Sequence, residues 1–141
     1  MKLFFTLRKL SKIKIIGNAF KIFYKAYCLA YGAAIPLNVY IDKSNKFPHG
    51  IHGIFLSKDA KIGMNNTIFH QVTIGSNQID GHPRNGAPEI GDNCIIGAGA
   101  KIIGRVKIGD NVNIATNCSV SIDLKNNSTA YQKMTVKIKE V

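Results

Sequence analysis

The sequence predicts an all-β solenoid built of hexapeptide repeats, preceded by a short α-helical segment. Three observations carry the prediction. First, an aliphatic residue returns every sixth position: Leu56, Ile62, Ile68 and Ile74, then, after an interruption, Ile90, Ile96, Ile102, Ile108, Ile114 and Val120. This period fits neither the turn of a helix, about 3.6 residues, nor a hairpin meander. It matches a coil in which each short strand forms one side and the chain turns at fixed intervals. Second, the residue four places on is small or modest in size (Ala60, Val72, Cys94, Ala100, Val106, Val112, Cys118), as a tighter part of a coil interior requires. Third, steps such as Gly91-Asp92-Asn93 and Gly109-Asp110-Asn111 lie between them, and these residue types tolerate the left-handed backbone of a sharp corner.

Taken in order, residues 1–33 read as one or two helices, broken at Gly17 and rich in Leu, Ile, Phe and Tyr. No apolar run approaches the roughly 20 residues of a membrane span. Lys9, Lys12, Lys14, Lys21 and Lys25 interrupt any signal-peptide core. The segment is expected to cap the open end of the coil, and its basic amphipathic character also suits peripheral contact with an anionic membrane. The coil is expected over 34–124, since Ile35, Ile41 and Phe47 already keep the period. Between Phe47 and Ile62 extra residues enter, at His49-Gly50-Ile51-His52-Gly53 and again after Ile54; corner bulges of this kind tend to line sites. Residues 76–89, dominated by Gly, Pro and Asn, read as a projecting loop. Residues 125–141 form a C-terminal tail in which Met134, Val136 and Ile138 alternate with polar residues as in a strand.

Composition narrows the functional classes. A chain of 141 residues is one domain, and a solenoid suits it because each rung buries its core against its neighbours. The formal charge is +11, yet the first 33 residues hold Lys2, Arg8, Lys9, Lys12, Lys14, Lys21 and Lys25 and no acid, while the solenoid is nearly balanced. With few aromatics in the solenoid and no arginine-rich reading helix, a nucleic-acid partner is excluded. The three cysteines give no disulfide framework, and Cys94 and Cys118 fall on inward positions, so a reducing, cytoplasmic setting is expected, at the inner membrane face if the basic segment docks there.

All four histidines precede the uninterrupted half. From Phe47 to Ile68 the chain makes three sides of the coil: Phe47 to Ile54, Ile54 to Ile62, Ile62 to Ile68. Three sides close one turn. His49 and His70, each two residues after its aliphatic, are therefore expected to stack one rung apart, with His82 in the loop beside them. Imidazole, with an unperturbed pKa of about 6.5, suits a base that takes a hydroxyl proton near neutrality.

The run from Ile90 to Gly104 (Ile-Gly-Asp-Asn-Cys-Ile-Ile-Gly-Ala-Gly-Ala-Lys-Ile-Ile-Gly), the segment Thr67–Gly75 and the pair His82-Pro83 resemble the hexapeptide-repeat acyltransferases. Within that superfamily they are most similar to the serine acetyltransferase-like branch, which includes O-acetyltransferases of surface sugars. The resemblance covers residues 34–122. It implies a left-handed parallel β-helix, a homotrimer, acetyl-CoA as acyl donor in the groove between two coils, and a histidine base. On that footing the expected activity is acetyl-CoA-dependent O-acetylation of a small-molecule or glycan hydroxyl, with a sugar of a surface polysaccharide ahead of serine. Serine O-acetylation is the alternative, and a non-catalytic scaffold is the alternative of another class.

The resemblance also assigns residues. His49 is the expected base; one extra residue in His49-Gly50-Ile51-His52-Gly53 leaves His52 as its rival. His70 is the second catalytic-site histidine, and Asp80, His82 and Arg84 of the loop join His52 around the acceptor. For the donor, Gly75 and the corner Gly97-Ala98-Gly99-Ala100 offer backbone groups, with Lys101 and Arg105 as cations for phosphates. No metal is expected, because no cysteine or carboxylate neighbours His49 and His52. Two departures stand out. The acid that serine acetyltransferases carry fifteen residues before the base falls here on Ala34, and Ala130-Tyr131-Gln132-Lys133 stands near the place of the usual Gly-Val-Pro-Ala. Without that acid, the base needs another partner, Asp80 or a backbone carbonyl.

Overall fold

A computed structural model describes residues 1–13 and 17–133; the strand expected at Met134, Val136 and Ile138 lies outside them. The chain opens with helices α1 (Lys2–Leu10) and α2 (Gly17–Ala30). They sit tightly against each other: a Cβ on Gly17 would lie 2.6 Å from the Ser11 carbonyl oxygen, so only glycine allows this approach. Phe4 of α1 is fully buried, with ring centroids 5.8 Å from Tyr24, 6.4 Å from Tyr27 and 6.3 Å from Phe47 of the first rung. It plugs the end of the coil.

Beside Phe4 lies an arginine that the sequence presents as one of seven surface cations. Arg8 is only 8% exposed. Its guanidinium donates to the Tyr24 hydroxyl at 2.9 Å and to the carbonyls of Pro36 at 3.1 Å, Leu37 at 3.3 Å and Val39. Tyr24 in turn donates to the Ile35 carbonyl at 2.7 Å, and burial pushes its phenol above the ordinary tyrosine range. Every acceptor around Arg8 is neutral. A buried charge is tolerable only when its donors are satisfied, and here the corner carbonyls of the first rung satisfy them.

The coil is a left-handed parallel β-helix with three sheets. The first holds β1 (Phe55–Leu56), β4 (Thr73–Gly75), β7 (Lys101–Ile103) and β10 (Ser119–Val120). The second holds β3 (Thr67–Ile68), β6 (Ile95–Ile96), β9 (Asn113–Ile114) and β11 (Thr129–Ala130), and the third β2 (Lys61–Ile62), β5 (Glu89–Ile90) and β8 (Lys107–Ile108). The six-residue period becomes vertical stacks: Leu56 over Ile74, Ile102 and Val120; Ile62 over Ile90 and Ile108; Ile68 over Ile96 and Ile114. All are buried. Asn65, Asn93, Asn111, Asn117 and Asn127 turn the corners with φ between 56 and 58°, and Gln71 does so at 59°.

Four details differ from the sequence expectation. The side after Phe47 ends at Leu56, not Ile54: Leu56 N–H donates to the Ala34 carbonyl and Phe55 N–H to that of Val72, fixing β1 between its neighbours. All the extra chain therefore lies before Leu56, with Ile51 and Ile54 both fully buried in the bulge, and Leu56 to Ile62 is regular. The tight interior position is polar near the top, where Asn45 and Asn66 are buried. Asn45 Oδ1 accepts the Asn66 N–H at 2.8 Å, and Asn66 Oδ1 accepts that of Cys94 at 2.7 Å. Pairing continues past residue 124, since β11 adds to β9. The loop after Ser76 is tied across its neck, where Asn77 and Gly86 exchange backbone bonds of 2.9 Å in each direction.

Candidate active site

His49 sits on the bulge, where buried Phe47 anchors the strand end and the Gly50 N–H closes a turn onto the Phe47 carbonyl at 3.0 Å. His70 follows buried Ile68 of β3, one rung below. The two meet as the rung count predicts. Their Nδ1 atoms are 2.8 Å apart, their ring centroids 4.8 Å apart, and the Phe69 ring packs edge-on against His49 at 5.6 Å. A 2.8 Å contact between two imidazole nitrogens is a hydrogen bond with one donor and one acceptor. One ring thus carries its proton on Nδ1 and the other leaves Nδ1 bare.

The rungs below fix this pair. The His70 carbonyl accepts the Gly99 N–H at 3.0 Å, and the Gln71 N–H donates to the His52 carbonyl at 2.8 Å. Lys101 Nζ bonds the carbonyls of Gln71 and Gly99, each at 3.1 Å. The His52 ring lies 4.5 Å from that of Tyr31 at the end of the cap and is not part of the pair.

The loop residues have their own partners. His82 Nδ1 accepts the Arg84 N–H and an Asn77 amide proton, both at 3.0 Å. With Nδ1 occupied as an acceptor, a neutral His82 carries its proton on Nε2, so it can donate to a ligand but not act as a base there. Arg84 reaches the Arg105 carbonyl at 3.3 Å and the Asp123 carboxylate at 2.6 Å, and Arg105 bonds the Pro83 carbonyl at 3.1 Å. These two arginines therefore clamp the loop to the lower rungs. Asp80 is exposed in the loop and makes no hydrogen bond with either paired histidine. The orienting carboxylate looked for at Asp80 is thus not what touches His49; His70 is.

At the corner Gly97–Ala100, expected to take the donor, Gly99 has φ +70°, and a Cβ there would press on the Asn117 side-chain oxygen. Ala98 and Ala100 complete the tight corner, and a Cβ on Gly97 would press on the Thr116 nitrogen at 2.6 Å; Gly75 lies in β4 of the same stack. The stacking of rungs alone accounts for these small residues. Lys101 and Arg105 touch only neutral carbonyls, so their charges remain unbalanced and suit phosphate. Among the described residues no cluster of His, Cys, Asp or Glu could hold a metal ion. Sequence reasoning missed Phe69, Tyr31 and Asn77, whose roles depend on contacts across rungs, and the burial of Arg8.

The stack of hexapeptide strands is that of a hexapeptide-repeat protein, and an imidazole pair stands at one of its corners. The model for bacterial transferase hexapeptide (six repeats) matches residues 87–121. Over its coil the chain is similar to the hexapeptide-repeat acyltransferase superfamily. It is 39% identical over 98 residues to the serine acetyltransferase of Staphylococcus aureus (strain Mu50 / ATCC 700699), covering 70% of this chain and 42% of the relative. Soybean serine acetyltransferase, solved as the apoenzyme, superposes with a TM-score of 0.74 at 28% identity over 94% of this chain and 53% of that one. Serine acetyltransferase isoform 3 of Entamoeba histolytica, solved with cysteine, shares the fold with a TM-score of 0.76 at 24% identity, over 96% and 49% of the two chains. The chain spans 35% of the length of the serine acetyltransferase of Mycobacterium tuberculosis (strain ATCC 25618 / H37Rv) and 53% of that of Helicobacter pylori (strain ATCC 700392 / 26695).

Proposed function

We propose that this protein transfers an acetyl group from acetyl-CoA to an acceptor hydroxyl, with His49 as base. The observation that carries the reading is the His49–His70 contact at a corner of a coil whose relatives are acetyltransferases. In the productive arrangement His49 donates its Nδ1–H to the bare Nδ1 of His70, which leaves His49 Nε2 free. That nitrogen takes the hydroxyl proton as the acceptor oxygen attacks the thioester carbonyl. The carbon–sulfur bond breaks, and the proton passes to the departing thiolate, giving the acetyl ester and free coenzyme A. No side chain is acylated. His70 does here what a carboxylate at residue 34 would otherwise do, and His82 Nε2–H is available to the acceptor.

The names of the relatives support serine as acceptor better than a surface sugar. Thiol release from acetyl-CoA tests the reading, with serine and a panel of sugar acceptors offered to the purified protein and to His49→Ala. Release that needs an acceptor and disappears in the variant is the expected result. Absence of release with every acceptor would leave the coil as a scaffold.

No helix among the described residues is long and apolar enough to cross a membrane. Exposed Ile22, Phe23 and Leu29 beside Lys21 and Lys25 support peripheral contact with an anionic bilayer, which co-sedimentation with liposomes tests. A homotrimer rests on the family resemblance, and solution mass by light scattering tests it.

A further inference from the structure

Between α1 and the first rung lies a cleft of about 800 Å³ whose nature the reaction so far does not use. Its floor is apolar, formed by Phe5, Phe47 and Pro48. Its rim carries Lys2, Lys9, Lys43 and Lys46, and none of these has an ion-pair partner among the described residues. The only acid in the first 58 residues is Asp42, and it is committed elsewhere. It accepts the Ser44 N–H at 2.8 Å and the Tyr40 hydroxyl at 2.9 Å, and these bonds, with a smaller contribution from the charge of neighbouring Lys43, hold its carboxyl below the usual range. Pro48, which lines the cleft, directly precedes His49 in the chain, although the lining itself includes neither histidine of the pair.

We infer that this cleft binds an amphiphilic phosphate: the phosphate at the lysine rim, an apolar chain or ring along Phe5, Phe47 and Pro48. The inference rests on the acetyl-transfer reading and names the acceptor class for it, a hydroxyl compound carried on a phosphate-bearing apolar group. Two arguments lead there. A cleft of this volume lined by lysines attracts a polyanion, and low-dielectric walls strengthen that field. Free serine is a poor occupant. Its ammonium group needs a carboxylate partner, and the cleft offers four like charges instead. Serine would also leave most of the floor bare.

The test uses the full chain without acetyl-CoA, so binding is read even if no transfer occurs. Farnesyl phosphate, inorganic phosphate, farnesol and serine are titrated by calorimetry into the wild type, the double variant Lys43→Glu/Lys46→Glu and His49→Ala. Both lysines are exposed, and circular dichroism checks that the double variant folds. Farnesyl phosphate is expected to bind at least roughly tenfold tighter than inorganic phosphate or farnesol, to lose roughly tenfold in the double variant, and to bind His49→Ala as well as the wild type. Equal binding of farnesol, or a folded double variant that binds farnesyl phosphate unchanged, overturns the inference. Its acceptor part has a separate arm. If the protein acetylates serine and saturating farnesyl phosphate does not inhibit, the cleft is not the acceptor site; inhibition supports it. Failure of the transferase reading shows instead as no thiol release from any acceptor.

Discussion

Below Ile90 the coil is one hexapeptide after another, and its tight interior position holds Cys94, Ala100, Val106, Val112 and Cys118, all buried. Above Ile90 the same architecture is interrupted three times: Asn45 and Asn66 replace the small apolar residue, the bulge before Leu56 lengthens one side, and the loop after Ser76 lengthens another. Every histidine lies in the interrupted half. The comparison teaches how a solenoid acquires chemistry. A regular stack supplies rigidity at low cost in sequence information, and three of the four histidines enter where the repeat is broken, His70 meeting the bulge from the regular corner after Ile68. The lower half still serves the site through Gly99 and Lys101, which hold the corner that carries His70.

Five substitutions or conditions can break or sharpen this division. The largest expected effect is on rate: His49→Ala lowers acetyl transfer about 10²–10⁴-fold with the melting temperature unchanged, because the side chain is exposed and only its chemistry is lost. His70→Ala is expected to lower kcat less, on the order of 10–100-fold, with little change in KM, since it acts through His49. The converse variant lies in the regular half. Ile102→Ala removes a fully buried side chain stacked between Ile74 and Val120, and denaturant unfolding should register a loss of about 2–5 kcal/mol with the rate per folded molecule retained.

Next comes Gly99→Ala, which forces a side chain into left-handed backbone against Asn117. A destabilisation of about 1–3 kcal/mol in thermal unfolding is expected, together with a fall in rate, because Gly99 also holds the His70 carbonyl. The smallest effect is set by pH. The Lys107 N–H, and after it the Arg84 guanidinium, hold the Asp123 carboxyl below its ordinary value. A lowered folded pKa contributes stability above the unfolded value and loses it as pH falls through the folded one. Wild type should therefore protect the loop amides of Asn77 and Gly86 better than Asp123→Asn at neutral pH. That difference should vanish in acid, below the depressed pKa, as hydrogen exchange would report.

Much of this was legible in the residues. A period of six names the buried stack residue by residue, because a solenoid converts sequence spacing directly into position. The His49–His70 contact followed from the same count, and it survived the wrong corner at Ile54 because the number of sides in a turn was unchanged. The corner itself was not legible: Ile51, Ile54 and Leu56 are all apolar and all buried, and only the backbone bond from Leu56 to Ala34 decides which one ends the side. Arg8 looked like any lysine of its segment, since its burial depends on carbonyls of Pro36, Leu37 and Val39 that come far later in the chain. The clamp of Arg84 on Asp123 spans the loop and the lower rungs, a pairing no local pattern announces.

The parallel register has a consequence for how such a chain can change length. From β5 to β10 each strand residue faces its counterpart three hexapeptides away, as Glu89 faces Lys107 and Ile90 faces Ile108. The coil thus has something like a reading frame. Removing three whole hexapeptides shortens the molecule by one storey and leaves every remaining stack in phase. Removing one hexapeptide keeps apolar residues inward but carries every later corner round by one side. Removing an odd number of residues within a strand turns its inward side chains out. Loops can be spliced in at a corner without penalty to that phase, as the segment after Ser76 already demonstrates.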